Sequence, residues 1–76
     1  MSSELELDTK GLLCPLPVVK ASQAITRVKS GGILKILATD PAAKQDLPAW
    51  ADRVGHEVVQ VNDNGTVIEV FVRKCK

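Results

Sequence analysis

Ile33-Leu34-Lys35-Ile36-Leu37-Ala38-Thr39, entered through Ser30-Gly31-Gly32 and left through Asp40-Pro41, decides the fold of this chain. The stretch is nearly all apolar and is bounded by turn formers, the pattern of a strand in the middle of a sheet. On its N-terminal side Val18, Ala21, Ile25 and Val28 recur at three- and four-residue spacing, which predicts an amphipathic helix. Pro15 and Pro17 mark the start of that helix, because the first-turn N–H groups have no intrahelical partner to lose. Still earlier, Leu5 and Leu7 alternate with Glu4, Glu6 and Asp8 as in a half-buried strand, and Gly11 opens a turn.

On its C-terminal side Asp40 and Pro41 read as an N-cap and first-turn pair. Leu47, Trp50, Ala51 and Val54 carry a second helical stripe, with Pro48 as a sign of a break or restart and Gly55 as the stop. Glu57–Val61 and Thr66–Arg73 are rich in Val and Ile and flank Asn62-Asp63-Asn64-Gly65, a hairpin signal. The expected order is βαβαββ. A right-handed crossover joins the first two strands in parallel, and the hairpin adds an antiparallel pair. The fold class is α+β: a two-layer α/β sandwich, a four-stranded mixed sheet with two helices on one face, and Trp50 and Phe71 as its large core residues.

Seventy-six residues leave room for one domain, 1–76, and for little enclosed volume. A hydrophobic fraction of 45% and a charged fraction of 25% are those of a soluble globular protein. The apolar runs are too short to span a bilayer, and the start of the chain lacks the pattern of a secretory signal, so the expected location is the cytoplasm. There the two cysteines, Cys14 and Cys75, are expected to be free thiols. The net charge of +1, with basic residues spread along the chain, argues against direct nucleic-acid binding. Two thiols and the single His56 do not make a zinc site, and no glycine-rich phosphate loop precedes a helix. Neither a metal nor an organic cofactor is expected. His56, just past the Gly55 stop, suits the free carbonyls of the helix end as a cation or a hydrogen-bonding ring.

Cys14 carries the chemistry, because the prolines after it place its sulfur at a helix N-terminus, where unpaired N–H groups favour an anion. The thiol is therefore expected to be slightly more acidic than its ordinary value of about 8.5. The competing account is a buried small hydrophobe in a helix-start loop, the commonest role of a free cysteine. Cys75, near the chain end among Arg73, Lys74 and Lys76, is either an incidental tail cysteine or a second thiol that meets Cys14. Lys20, Arg27 and Lys29 lie beyond the apolar stripe of the first helix. They are a solvated face or a docking surface for an acidic partner around Cys14.

The words Leu7-Asp8, Gly11-Leu12, Cys14-Pro15-Leu16-Pro17-Val18, Asp40-Pro41, Asp46-Leu47-Pro48-Ala49-Trp50 and Gly55-His56-Glu57 run through almost the whole chain. In that order the sequence resembles the TusA-like, or SirA-like, sulfur-carrier proteins with their Cys-Pro-x-Pro motif. The resemblance implies a βαβαββ fold and a sulfurtransferase-type carrier without metal or organic cofactor. It also implies that Cys14 takes sulfane sulfur as a persulfide and that Pro15 and Pro17 scaffold it. A cysteine desulfurase or rhodanese-like protein would be the donor, and a DsrE-like or similar protein the acceptor. Family members feeding tRNA thiouridine synthesis have an acidic residue where this chain has Leu16. An apolar residue there looks more like the carriers of sulfur oxidation or of unassigned pathway.

Two other classes stand beside this reading. A small regulatory or RNA-binding module would need exposed aromatic faces, and Trp50 and Phe71 are both expected inside. A thiol redox protein using Cys14 and Cys75 would lack the Cys-x-x-Cys spacing that lets one sulfur resolve the other locally.

Overall fold

The computed structural model describes residues 3–76. Its elements follow in the order β1 (Leu5–Thr9), α1 (Leu16–Ala24) with a 3-10 turn (Ile25–Arg27), β2 (Ile33–Ala38), α2 (Ala43–Val54), β3 (Glu57–Asp63) and β4 (Ile68–Arg73). They form one mixed sheet in the order β1-β2-β4-β3, with β1 parallel to β2 and the remaining pairs antiparallel. This is the expected βαβαββ arrangement.

Strand alternation explains which face is covered. Leu34, Ile36 and Ala38 of β2 and Ile68, Val70 and Val72 of β4 pack with Ala21, Ala24, Ile25 and Val28 from the first helical segment and with Ala43, Leu47, Trp50 and Ala51 of α2. Leu5 and Leu7 complete the layer from β1. The one buried polar side chain among the described residues, Thr9, donates its hydroxyl to the Leu37 carbonyl, so its burial leaves nothing unpaired.

Four local expectations are corrected. Phe71 is buried at 6% exposure but lies outside the helix-side core: it alternates with Val70 and Val72, and Lys35, its partner across the strands, lays its ammonium 5.6 Å from the ring centroid. Pro48 does not break α2, which runs through it from Ala43 to Val54. The missing hydrogen bond at Pro48 is offset by the burial of Leu47, Trp50 and Ala51 on either side. The hairpin turn sits further along than expected: β3 extends to Asp63, β4 starts at Ile68, and Asn64 Oδ1 accepts from the N–H groups of Thr66 and Val67. Finally, the His56 ring does not meet helix-end carbonyls. Its Nδ1 accepts the Cys75 N–H at 3.1 Å, and burial first, then Lys74 and Lys76, holds its pKa below the ordinary value. The Gly55 stop itself is as expected: a left-handed φ of 88°, with the following His56 N–H bonded back to the Ala51 carbonyl.

Trp50, at 3% exposure, is the largest side chain in the core. Replacing it by alanine should cost about 3–5 kcal/mol, a large share of what so small a core supplies. A thermal melt should show the variant mostly unfolded near room temperature, and an unchanged melting temperature would contradict its placement.

Candidate functional site around Cys14

Cys14 lies in the loop between β1 and α1, at the end of the sheet where both parallel strands finish. Gly11 turns the chain there with a φ of 85°, and its N–H reaches the Thr39 hydroxyl at 2.9 Å. The thiol residue itself is held by Asp40: one carboxylate oxygen accepts the Cys14 N–H at 2.8 Å while the other accepts the Ala42 N–H at 3.1 Å. Asp40 therefore does more than the expected capping. The residue at the helix N-cap is Ala42, without a side-chain cap, and Asp40 ties the loop before α1 to the loop before α2. The two N–H bonds hold its carboxyl below the usual aspartate range, that from Cys14 contributing most.

The prolines stand at the start of α1, as expected, with one further effect. Pro15 takes the cap position of α1 and Pro17 follows in its first turn, so neither offers an N–H. The Leu16 N–H is spent on the Leu13 carbonyl at 2.9 Å, and that of Cys14 on Asp40. With the Val19 N–H spent on the Pro15 carbonyl at 3.0 Å, the helix start offers fewer donors to a thiolate than an ordinary one. The expected acidification of Cys14 is overturned: burial, then the Asp46 carboxylate, then Asp40 push its pKa up to about 11. On the order of one thiol in ten thousand would be ionised at pH 7 with such a value. Pro17 is fully buried, which anchors α1, whereas Leu13, Leu16 and Val19 stand 71%, 47% and 43% exposed.

Asp46, in the first turn of α2, lines a groove of about 220 Å³ between the two helices, together with Pro15, Val18, Ala49 and Arg53. Sequence reading missed Asp40 and Asp46 as neighbours of the thiol. Each lies far from it along the chain, and the only signal was their presence within the words shared with a family.

The remaining candidates separate. Cys75 is at the opposite end of the molecule: Arg73 pairs with Ile33, the first residue of β2, whereas Thr9 pairs with its last, Ala38. The length of β2, about 20 Å at 3.3 Å per residue, stands between the two thiols, and a disulfide needs Cα atoms within about 7 Å. Cys14 and Cys75 are both free, and the pairing of the two within one chain is excluded by this geometry. Lys29 also belongs to the far end, where its ammonium pairs with Glu4 at 3.7 Å. Arg27 closes the 3-10 turn there. Only Lys20 lies within about a turn of the helix start, so the three cations do not form a ring around Cys14.

A family model described as sulfurtransferase TusA matches residues 5–74. The chain belongs to the TusA family. It is 40% identical over 74 residues to the putative sulfur carrier protein YrkI of Bacillus subtilis, a match covering 97% of this chain and 99% of that one. To the sulfur carrier protein TusA of Allochromatium vinosum it is 35% identical over 69 residues, 91% of each chain. The fold is shared with the crystal structure of a SirA-like protein from Desulfitobacterium hafniense, with a TM-score of 0.81 at 26% identity, over 95% of this chain and 99% of that one.

Two predictions test the geometry. Alkylation of Cys14 by iodoacetamide, followed by peptide mass spectrometry, should accelerate with pH and reach half its plateau only near pH 11. A plateau near pH 8 would mean an acidic thiol. Asp40→Ala should leave the Cys14 amide without its partner, and hydrogen exchange at that amide should speed up while β2 and β4 stay protected. In the wild type the same amide should keep its protection below the ordinary aspartate range, losing it only as pH falls through the depressed Asp40 value.

Proposed function

We propose that this member of the TusA family carries sulfur as a persulfide on Cys14. The observation that carries the reading is the placement of the two cysteines. Cys14 is tethered, half-exposed and rimmed by exposed apolar side chains, while Cys75 hangs on an exposed tail at the other end. In the transfer the Cys14 sulfur, as thiolate, attacks the outer sulfur of a donor persulfide. The donor's S–S bond breaks, its electron pair leaves on the inner sulfur, and that thiolate takes up the proton given up by Cys14. A donor R–S–SH and the Cys14 thiol thus become R–SH and a Cys14 persulfide, with no net redox change. The same exchange in the forward sense hands the sulfur to an acceptor.

Partners are proteins that give and take sulfur. A cysteine desulfurase or rhodanese-like donor and a DsrE-like acceptor fit the chemistry, in the reducing cytoplasm where both thiols stay free. No described helix is long and apolar enough to cross a membrane. Pro15 and Pro17 act as the scaffold: Pro17 by its burial, Pro15 by fixing the backbone next to the sulfur. The buried Trp50 and Phe71 leave no aromatic face for stacking bases, which weighs against the RNA-binding alternative.

Incubation with a cysteine desulfurase and cysteine, followed by intact-protein mass spectrometry, should add one sulfur atom to the wild type and to Cys75→Ser and none to folded Cys14→Ser. Sulfur uptake by Cys14→Ser would overturn the assignment.

A further inference from the structure

Five large apolar side chains are exposed among the described residues, and three of them, Leu13, Leu16 and Val19, lie within five positions of Cys14 along its loop and α1. Leu13 precedes the thiol by one position and hands its carbonyl to Leu16, while Leu16 and Val19, three apart on α1, share a face. The core does not explain their exposure, because Pro17, Ala21 and Ala24 already fill the inner side of this helix. An apolar rim around a reactive group marks a contact surface rather than a solvated one.

The charges around this rim are uneven. Five of the acidic residues, Glu4, Asp8, Glu57, Asp63 and Glu69, have a basic partner within 4 Å. Among the described residues Glu6, Asp40, Asp46 and Asp52 appear in no such pair, and two of them, Asp40 and Asp46, are the carboxylates that act on the Cys14 thiol. Asp40 is occupied by two N–H groups, but Asp46 is exposed at the mouth of the groove beside Pro15. The nearby cations do not answer it. Lys10 is paired with Asp8, Lys20 points from an exposed position on α1, and Arg53 lies two turns further along the groove.

Resting on the reading of Cys14 as the sulfur-bearing thiol, we infer that the protein partner which seats on Leu13, Leu16 and Val19 presents an apolar surface around its own cysteine and a lysine or arginine that pairs with Asp46. The physical reason is desolvation. Docking removes water from Asp46, and a carboxylate stripped of water without a countercharge opposes binding strongly. The transfer also brings a second anionic sulfur towards a corner that is already negative, and like charges at close quarters oppose approach. One cation on the partner answers both needs. It also removes part of the field that holds Cys14 protonated, so the thiol becomes reactive in the complex and stays inert outside it.

The inference makes Asp46 act in opposite senses on two rates. Asp46→Asn should alkylate severalfold faster than wild type with iodoacetamide at pH 8, because a carboxylate that keeps the proton on sulfur is gone. The same variant should take sulfur from a persulfidated cysteine desulfurase less well, with KM raised about tenfold, one lost charge pair of about 1.4 kcal/mol. Raising the salt concentration should raise KM for the wild type and change it little for the variant. Leu16→Gln should slow transfer without changing alkylation. Faster alkylation with unchanged or faster transfer in Asp46→Asn would overturn the partner cation. Unchanged alkylation would overturn the control of the thiol by Asp46. Absence of sulfur uptake by the wild type itself would instead fail the reading of Cys14, which separates the two.

Discussion

The Asp40 carboxylate is the constraint on which the working end of the molecule depends. Its two oxygens hold N–H groups from two loops, one leading into each helix, that the chain itself separates by the whole of α1 and β2. Besides that bridge the loop bearing Cys14 is attached through Gly11 to Thr39, through the Leu12 N–H to the Thr9 carbonyl, and through the packing of Cys14, Pro17 and Val18. The position of the sulfur is therefore set by the sheet edge and both helices together, which is how a chain this small holds a thiol in place without enclosing it in a pocket.

The architecture was legible because its signals are local and agree with one another: alternation in β1, the apolar run of β2, the helical stripes and the Asn-Gly turn all point to one topology. The misplacements have local causes too. Asp and Asn favour turns, which puts Asp63 in the loop by propensity, but it closes β3 opposite Ile68. Pro48 signals a break by propensity, which alone cannot weigh the burial of its neighbours.

The site was legible in its thiol and not in its electrostatics. Cys14 is singled out by the residues beside it, whereas the carboxylates that govern it come from another loop and another helix. The sign of the thiol's acidity came out opposite to a helix-terminus argument for a reason that is in the sequence after all. The two prolines that announce the helix start also remove two N–H groups there, and those of Leu16 and Cys14 are spent on Leu13 and Asp40. What a helix start offers an anion depends on which amides are present and free.

The separation of the two cysteines along β2 gives the molecule two poles. One pole carries the tethered thiol and its apolar rim; the other carries the tail, pinned by the Cys75 amide to the His56 ring, which itself lies 6.1 Å from the indole of Trp50. Material attached at the tail, whether an affinity handle, a fluorophore on Cys75 or a fused protein, therefore projects away from the thiol. The molecule can be tethered by one end to a surface or a larger assembly while the other end keeps Cys14 and its apolar neighbours open to the solvent.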